Sequence, residues 1–216
     1  EMSGNQDLKF VINLSSEEYL SGHIIQEKII FPATGYIFLA WRAFAKLLKA
    51  NYEDLSIHLE NICFKRITEL LPNHNKEFRV SILNKSGDFE ITENNEIVCS
   101  GVIQIARKIS PDMLATDDSA KSKANILVQD DFYKILYLKE YDYQGLFRGV
   151  QNIDWDGSFA ELKWNDNWIC FLDTMLQIGI LDLGSSLKEL IVPVKLESAM
   201  MYPTIFKESF GGHHIT

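Results

Sequence analysis

The sequence predicts an α+β fold in which two antiparallel sheets each curve round one apolar helix. Two observations predict it. Residues 34–50 and about 167–181 form helical stretches that are apolar nearly all round, and such helices must be buried on most sides. Around each lie short runs that alternate or are rich in β-branched and aromatic residues, bounded by turn signals, which is the pattern of antiparallel strands. A generic α+β domain is the competing arrangement.

The first half opens with a polar lead and the strand-like "KFVINL". In "YLSGHIIQEKIIFPATGYIFLAWRAF" His23 then stands just ahead of the first helix. Phe38, Leu39, Trp41, Phe44, Ala45 and Leu48 lie at helical spacing, with Arg42, Lys46 and Lys49 on a more polar side. Pro32 precedes the helix, where a missing N–H costs least. The runs "IHLENICFKRI", "EFRVSIL", "GDFEITENN" and "EIVCSGVIQIAR" predict a meander turning at "NKSGD" and "ENNE".

Residues 108–125 are polar, carry Pro111 and have weak periodicity, the composition of a linker. The expected organisation is a first half over 1–108 carrying His23, a linker over 109–125, and a second half over 126–216 carrying Asp173. In that second half "QDDFYKILYLKEYDY" predicts a short helix with Asp130 and Asp131 in its first turn, where they favour the helix dipole. "FRGVQNIDWDG" and "SFAELKW" predict a hairpin turning at Asp156-Gly157. After the apolar helix, "LIVPVKLESAMMY" supplies a strand that Pro193 confines to an edge or bulge.

With 21 basic against 30 acidic residues the net charge is −9, which argues against nucleic acid or an anionic membrane as the main partner. Cys63, Cys99 and Cys170 are too scattered for a disulfide framework or a zinc site, so they read as small buried hydrophobes in a reducing cytosol. Arg42, Lys46 and Asp173 interrupt the two longest apolar runs, and neither reaches the ~20 residues of a membrane span. No signal-peptide pattern opens the chain. It starts at Glu1 and stops in "FGGHHIT", and reads as a piece of something longer.

Two polar residues sit oddly in this apolar setting. His23 is either a satisfied structural group or a proton carrier, and its isolation from other histidines argues against a metal. Asp173 lies among Phe171, Leu172, Met175 and Leu176 in "WICFLDTMLQIGIL". Desolvation there would raise its pKa and let it hold a proton near neutrality. Pairing with a basic residue across the core, or facing solvent, is equally open. Gln177, four residues on, shares its face and can hydrogen-bond the carboxyl group. His58, His74, His213 and His214 have no comparable context. There is no Gly-rich phosphate loop and no Gly-x-Ser-x-Gly elbow.

At "GHIIQEKIIFPATGYIFLAWR", "FEITENNEIVCSG", "YDYQGLFRGV" and "DNWICFLDTMLQIGIL" the chain resembles the dehydratase domain of an animal-type fatty acid synthase, a relative of the polyketide synthase dehydratases. The family's His-x-x-x-Gly-x-x-x-x-Pro falls on His23, position 27 and Pro32. Its Asp-x-x-x-Gln/His falls on Asp173 and Gln177, and its Tyr-Gly-Pro-x-Phe on Tyr143 through Phe147. Glu27 replaces the first glycine, and Gln144 and Gly145 replace Gly-Pro.

The resemblance implies a double hotdog fold and loss of water from a (3R)-3-hydroxyacyl thioester, giving the trans-2-enoyl thioester. It implies His23 as general base, Asp173 as general acid and Gln177 as the residue orienting the acid or the hydroxyl. Pro32, Ala33, Thr34, Gly35, Tyr143, Gly145 and Phe147 would line the substrate site. No metal or cofactor is implied, because the substrate arrives on the phosphopantetheine of an acyl carrier protein. The partners implied are that carrier and the other domains of a homodimeric, cytoplasmic synthase, with no nucleic acid and no membrane. A catalytically silent copy with a structural or acyl-binding role is the alternative.

Overall fold

The computed structural model describes residues 6–83, 85–109, 126–155, 157–182 and 190–210. They fall into two compact units that interleave along the chain. The first comprises residues up to Glu18, Gly35–Ile109 and Pro193–Ser209, and the second Tyr19–Thr34 with the described part of 110–192.

In the first unit, β1 (Gln6–Ile12), β4 (Ile57–Phe64), β5 (Lys76–Ile82), β6 (Asp88–Glu93), β7 (Glu96–Ile105) and β12 (Lys195–Met201) form one sheet. Its order is β1-β5-β6-β7-β4-β12, and every pairing is antiparallel. The meander predicted over β4–β7 is present. Asn94 and Asn95 turn from β6 to β7 with φ of 52° and 65°, the doubly left-handed geometry that asparagine tolerates in a two-residue hairpin. Helix α1 (Ala33–Leu47) sends Tyr36 edge-on against Phe78 of β5 at 5.6 Å, and stacks Arg42 over Phe10 of β1 at 5.5 Å. Trp41, fully buried, donates from Nε1 to the Leu55 carbonyl at 3.1 Å. Helix α4 (Pro203–Phe210), which the sequence pattern does not announce, follows β12.

In the second unit, β2 (His23–Ile25) pairs on one side with β3 (Lys28–Ile29) and on the other with β9 (Tyr141–Tyr143). A second small sheet takes the order β11-β10-β8 from Ala160–Leu162, Val150–Asp154 and Ile126–Val128. Helices α2 (Gln129–Leu138) and α3 (Trp168–Asp182) complete the unit. The hairpin predicted around residues 156–157 exists as β10–β11, although Asp156 lies outside the described residues.

The units do not follow the expected halves 1–108 and 126–216. Residues 19–34, carrying His23, pack with the second unit because β2 finds its ladder partner in β9. Residues 193–209 go to the first, because β12 pairs along β4. The expected linker, 109–125, lies outside the described residues apart from Ile109. Pro193 lies two residues before β12, outside the strand, and β12 is an edge strand of its sheet. Cys99 and Cys170 are buried and Cys63 is partly exposed. Among the described residues no helix is long and apolar enough to cross a membrane.

Candidate active site

Strand β2 is short, and its alternation turns His23 and Ile25 to the buried side. Across the ladder His23 pairs with Tyr143 and Ile25 with Tyr141. Close approach at the start of this ladder requires Gly22. A Cβ there would lie 2.3 Å from the Gln144 backbone oxygen, while Gln144 N–H donates to Gly22 O at 2.9 Å.

Gln26 and Glu27 link β2 to β3 with φ of 50° and 63°, the two left-handed residues of a tight hairpin. The family glycine thus corresponds to a position whose conformation favours glycine, and Glu27 holds it with its side chain exposed. The hairpin brings Ile30 back to His23. Ile30 N–H donates to His23 O at 3.0 Å, and His23 Nδ1 lies 2.7 Å from Ile30 O. A carbonyl oxygen only accepts, so Nδ1 carries the proton and neutral His23 presents a bare Nε2.

Helix α3 begins after Asn167, whose Oδ1 accepts from Cys170 N–H at 3.0 Å in an N-cap. Its i,i+4 spacing puts Asp173 and Gln177 on one face. His23 Nε2 lies 3.5 Å from Asp173 Oδ1, with both residues 4% exposed. The other carboxyl oxygen, Oδ2, accepts from Gln177 Nε2 at 2.9 Å. Gln177 Nε2 also donates to Phe147 O at 3.0 Å. The rings of Tyr143 and Phe147 flank the imidazole, with centroids at 5.3 and 5.1 Å. His23, Asp173, Gln177, Tyr143 and Phe147 therefore converge within one unit.

Of the other expected site residues, Pro32 and Thr34 are buried, and Thr34 Oγ1 donates to Ile169 O in the first turn of α3 at 3.0 Å. Ala33 is half-buried at the start of α1, and Gly35 falls in the other unit. Gly145 is exposed with φ of 57°. Proline is locked near −65°, so the departure from Tyr-Gly-Pro-x-Phe goes with a backbone that proline could not adopt.

One residue of the cluster was not anticipated from the sequence. Tyr133 of α2, 5% exposed, reaches Gln177 Oε1 at 3.0 Å. Its position on the buried face of "DDFYKILYL" was legible, but which polar group it meets depends on tertiary packing.

Burial raises the pKa of Tyr133. It raises that of Tyr143 well above the usual phenol value, with the Asp173 carboxylate adding to the effect. Cys170 is pushed up by burial first and by Asp173 second. Both phenols and the thiol are thereby held in their neutral forms. His58 shows a contrasting arrangement: its Nε2 faces both Ser198 Oγ at 2.9 Å and Glu60 at 3.9 Å. One nitrogen serves both partners. Among the described residues no three His, Cys, Asp or Glu gather as a metal site.

Residues 2–94 match the family model described as polyketide synthase dehydratase domain. Highly reducing polyketide synthase aurA of Calcarisporium arbuscula is 23% identical over 213 residues, covering 88% of this chain; the chain spans 8% of that synthase. The dehydratase domain from the CurF module of curacin polyketide synthase has the same fold. It gives a TM-score of 0.76 at 19% identity over 93% of this chain and 79% of its own. Two structures of CurK dehydratase, an Asp-to-Asn and a His-to-Phe variant, are each described as an inactive mutant. Their TM-scores are 0.73 and 0.70 at 16% and 18% identity, over 93% of this chain and 79% and 77% of theirs. The fold class is accordingly the α+β double hotdog.

Proposed function

We propose that this domain is a dehydratase of the polyketide synthase dehydratase type and eliminates water from a 3-hydroxyacyl thioester, with His23 as base and Asp173 as acid. The observation that carries this reading is the 3.5 Å approach of a bare imidazole nitrogen to a buried carboxyl oxygen. The inactive Asp and His variants of a related fold support it.

The productive state has neutral His23 and protonated Asp173. His23 Nε2 removes a proton from C2 while Asp173 Oδ1 gives its proton to the C3 hydroxyl, which leaves as water. The C2–H electron pair becomes the C2–C3 double bond. Base and acid approach from one side, so both groups leave from the same face of the substrate. General acid and base must each lie within hydrogen-bond reach of the proton they handle, and a 3.5 Å separation satisfies that for two adjacent carbons.

The step leaves imidazolium beside carboxylate. Direct transfer from His23 Nε2–H to Asp173 Oδ1 restores the starting state, so one shared proton completes the cycle with no external donor. The elimination is redox-neutral and asks for no cofactor within the domain. The first N–H groups of α1, at Ala33 and Thr34, are suited to polarise the thioester oxygen.

The substrate in this reading is a (3R)-3-hydroxyacyl group on the phosphopantetheine of a carrier protein in the same multidomain synthase. Tethering lets weak carrier binding suffice. The motif resemblance points to a fatty acid synthase and the matched relatives are polyketide synthases; the elimination is common to both. Incubation with 3-hydroxybutyryl-pantetheine, followed by the absorbance of the enoyl thioester, tests the reaction. Turnover supports the assignment, and its absence in a folded domain favours the silent, acyl-binding alternative. Mass spectrometry of the acyl chains released by the full synthase assigns the product class.

A further inference from the structure

We infer that Tyr133 is a positioning residue for the dehydration: through Gln177 it decides which oxygen of Asp173 carries the transferable proton. The inference rests on the dehydratase reading above and extends it to a side chain that touches no substrate.

The argument follows the hydrogen bonds. Gln177 Nε2 donates to Asp173 Oδ2 at 2.9 Å and to Phe147 O at 3.0 Å. Both amide protons are then committed. An oxygen accepting Nε2–H along that direction cannot also present a proton there, so the acid's proton must sit on Oδ1, which faces His23. If the amide flipped, its oxygen would face Oδ2, and the proton could move to Oδ2 and be held by glutamine. The acid would then be charged with a proton it cannot deliver.

Tyr133 opposes that flip. Its hydroxyl oxygen lies 3.0 Å from Gln177 Oε1, 3.1 Å from Phe147 O and 3.1 Å from Val150 N. It has one proton for two acceptors. Val150 N–H occupies it as a donor, and Phe147 O already receives Gln177 Nε2–H. The arrangement that satisfies every group has Tyr133 donating to Gln177 Oε1, and it holds the amide in the productive orientation.

Two features keep the phenol in that role. Burial raises its pKa, so it remains a donor at any working pH. The Arg148 guanidinium lies 4.9 Å over its ring while pairing with Asp130 at 2.7 Å, which fixes the ring from its outer face.

The test is a double-mutant cycle on 3-hydroxybutyryl-pantetheine dehydration by the domain, with Tyr133→Phe, Gln177→Met and the pair. Tyr133→Phe is expected to lower kcat about tenfold, the effect of losing one orienting hydrogen bond in a buried network, with KM changed less than twofold. In the Gln177→Met background the same change should have no further effect on kcat, because there is no amide left to orient. Circular dichroism and Tm separate this from misfolding.

Equal kcat losses from Tyr133→Phe in both backgrounds would overturn the inference, as would a loss expressed in KM alone or wild-type kcat in Tyr133→Phe. His23→Ala in the same assay keeps the two readings apart. If it retains turnover the dehydratase reading itself fails; if it is dead while Tyr133→Phe behaves as wild type, only the positioning role fails.

Discussion

His23 Nδ1 and Ile30 O lie 2.7 Å apart, seven residues along one chain, joined by the hairpin through Gln26 and Glu27. This bond selects the Nδ1–H tautomer and leaves Nε2 free toward Asp173. The nitrogen chemical shifts of neutral His23 in a 15N-histidine-labelled sample should report protonated Nδ1 and bare Nε2. The reverse tautomer would remove the base from the proposed elimination.

Glu27 gives the second prediction. It occupies φ of 63° with an exposed side chain. A left-handed non-glycine residue costs roughly 1 kcal/mol, and exposed charges are largely screened at physiological salt. Glu27→Gly should therefore raise stability by up to about 1 kcal/mol in urea unfolding and leave the pH midpoint of dehydration in place. A lowered midpoint with faster turnover near neutrality would show instead that the glutamate charge acts on His23.

Gly22 should be intolerant. The atom that a new Cβ would meet at 2.3 Å is the backbone oxygen of Gln144, which cannot rotate away. Gly22→Ala is expected to destabilise by about 1–3 kcal/mol and to reduce dehydration, because separating β2 from β9 moves His23. Unchanged Tm and unchanged rate would show that the ladder is looser than its geometry implies.

How much of this was legible in the sequence follows from the range of each interaction. Helices α1, α2 and α3, the β4–β7 meander and the Asp173–Gln177 pair rest on local periodicity, and were readable to within a few residues; α4 was not. The division into units was not. Residues 19–34 and 193–209 go where their strand partners lie, in β9 and β4, and no local pattern names a partner that distant. The motif resemblance brought His23, Asp173 and Gln177 together in expectation. It missed Tyr133, because a tyrosine on an apolar helix face reads as core until its hydroxyl has a neighbour. It also could not say that position 27 is left-handed, the feature that explains the family glycine.

A further prediction concerns stability in the other unit. Burial pushes the Glu93 carboxyl up, but hydrogen bonds from Lys76 at 2.8 Å and Thr68 at 2.6 Å outweigh it and hold its pKa below the usual value. A depressed folded-state pKa gives stability that is fully present above the ordinary glutamate range and lost as pH falls through the depressed value. Tm should therefore fall on acidification, and Lys76→Met should lower the neutral-pH Tm while flattening that fall. An acid limb as steep in Lys76→Met as in the wild type would contradict the account.

The most direct measurement is enoyl thioester formation from 3-hydroxybutyryl-pantetheine by the wild type, His23→Phe and Asp173→Asn, each checked for folding by circular dichroism. General acid–base catalysis contributes about 10²–10⁴-fold, so each variant should lose at least about two orders of magnitude in kcat, with KM little changed. A wild type that turns over, with both folded variants retaining near-wild-type kcat, would contradict the claim that the His23–Asp173 pair performs the elimination.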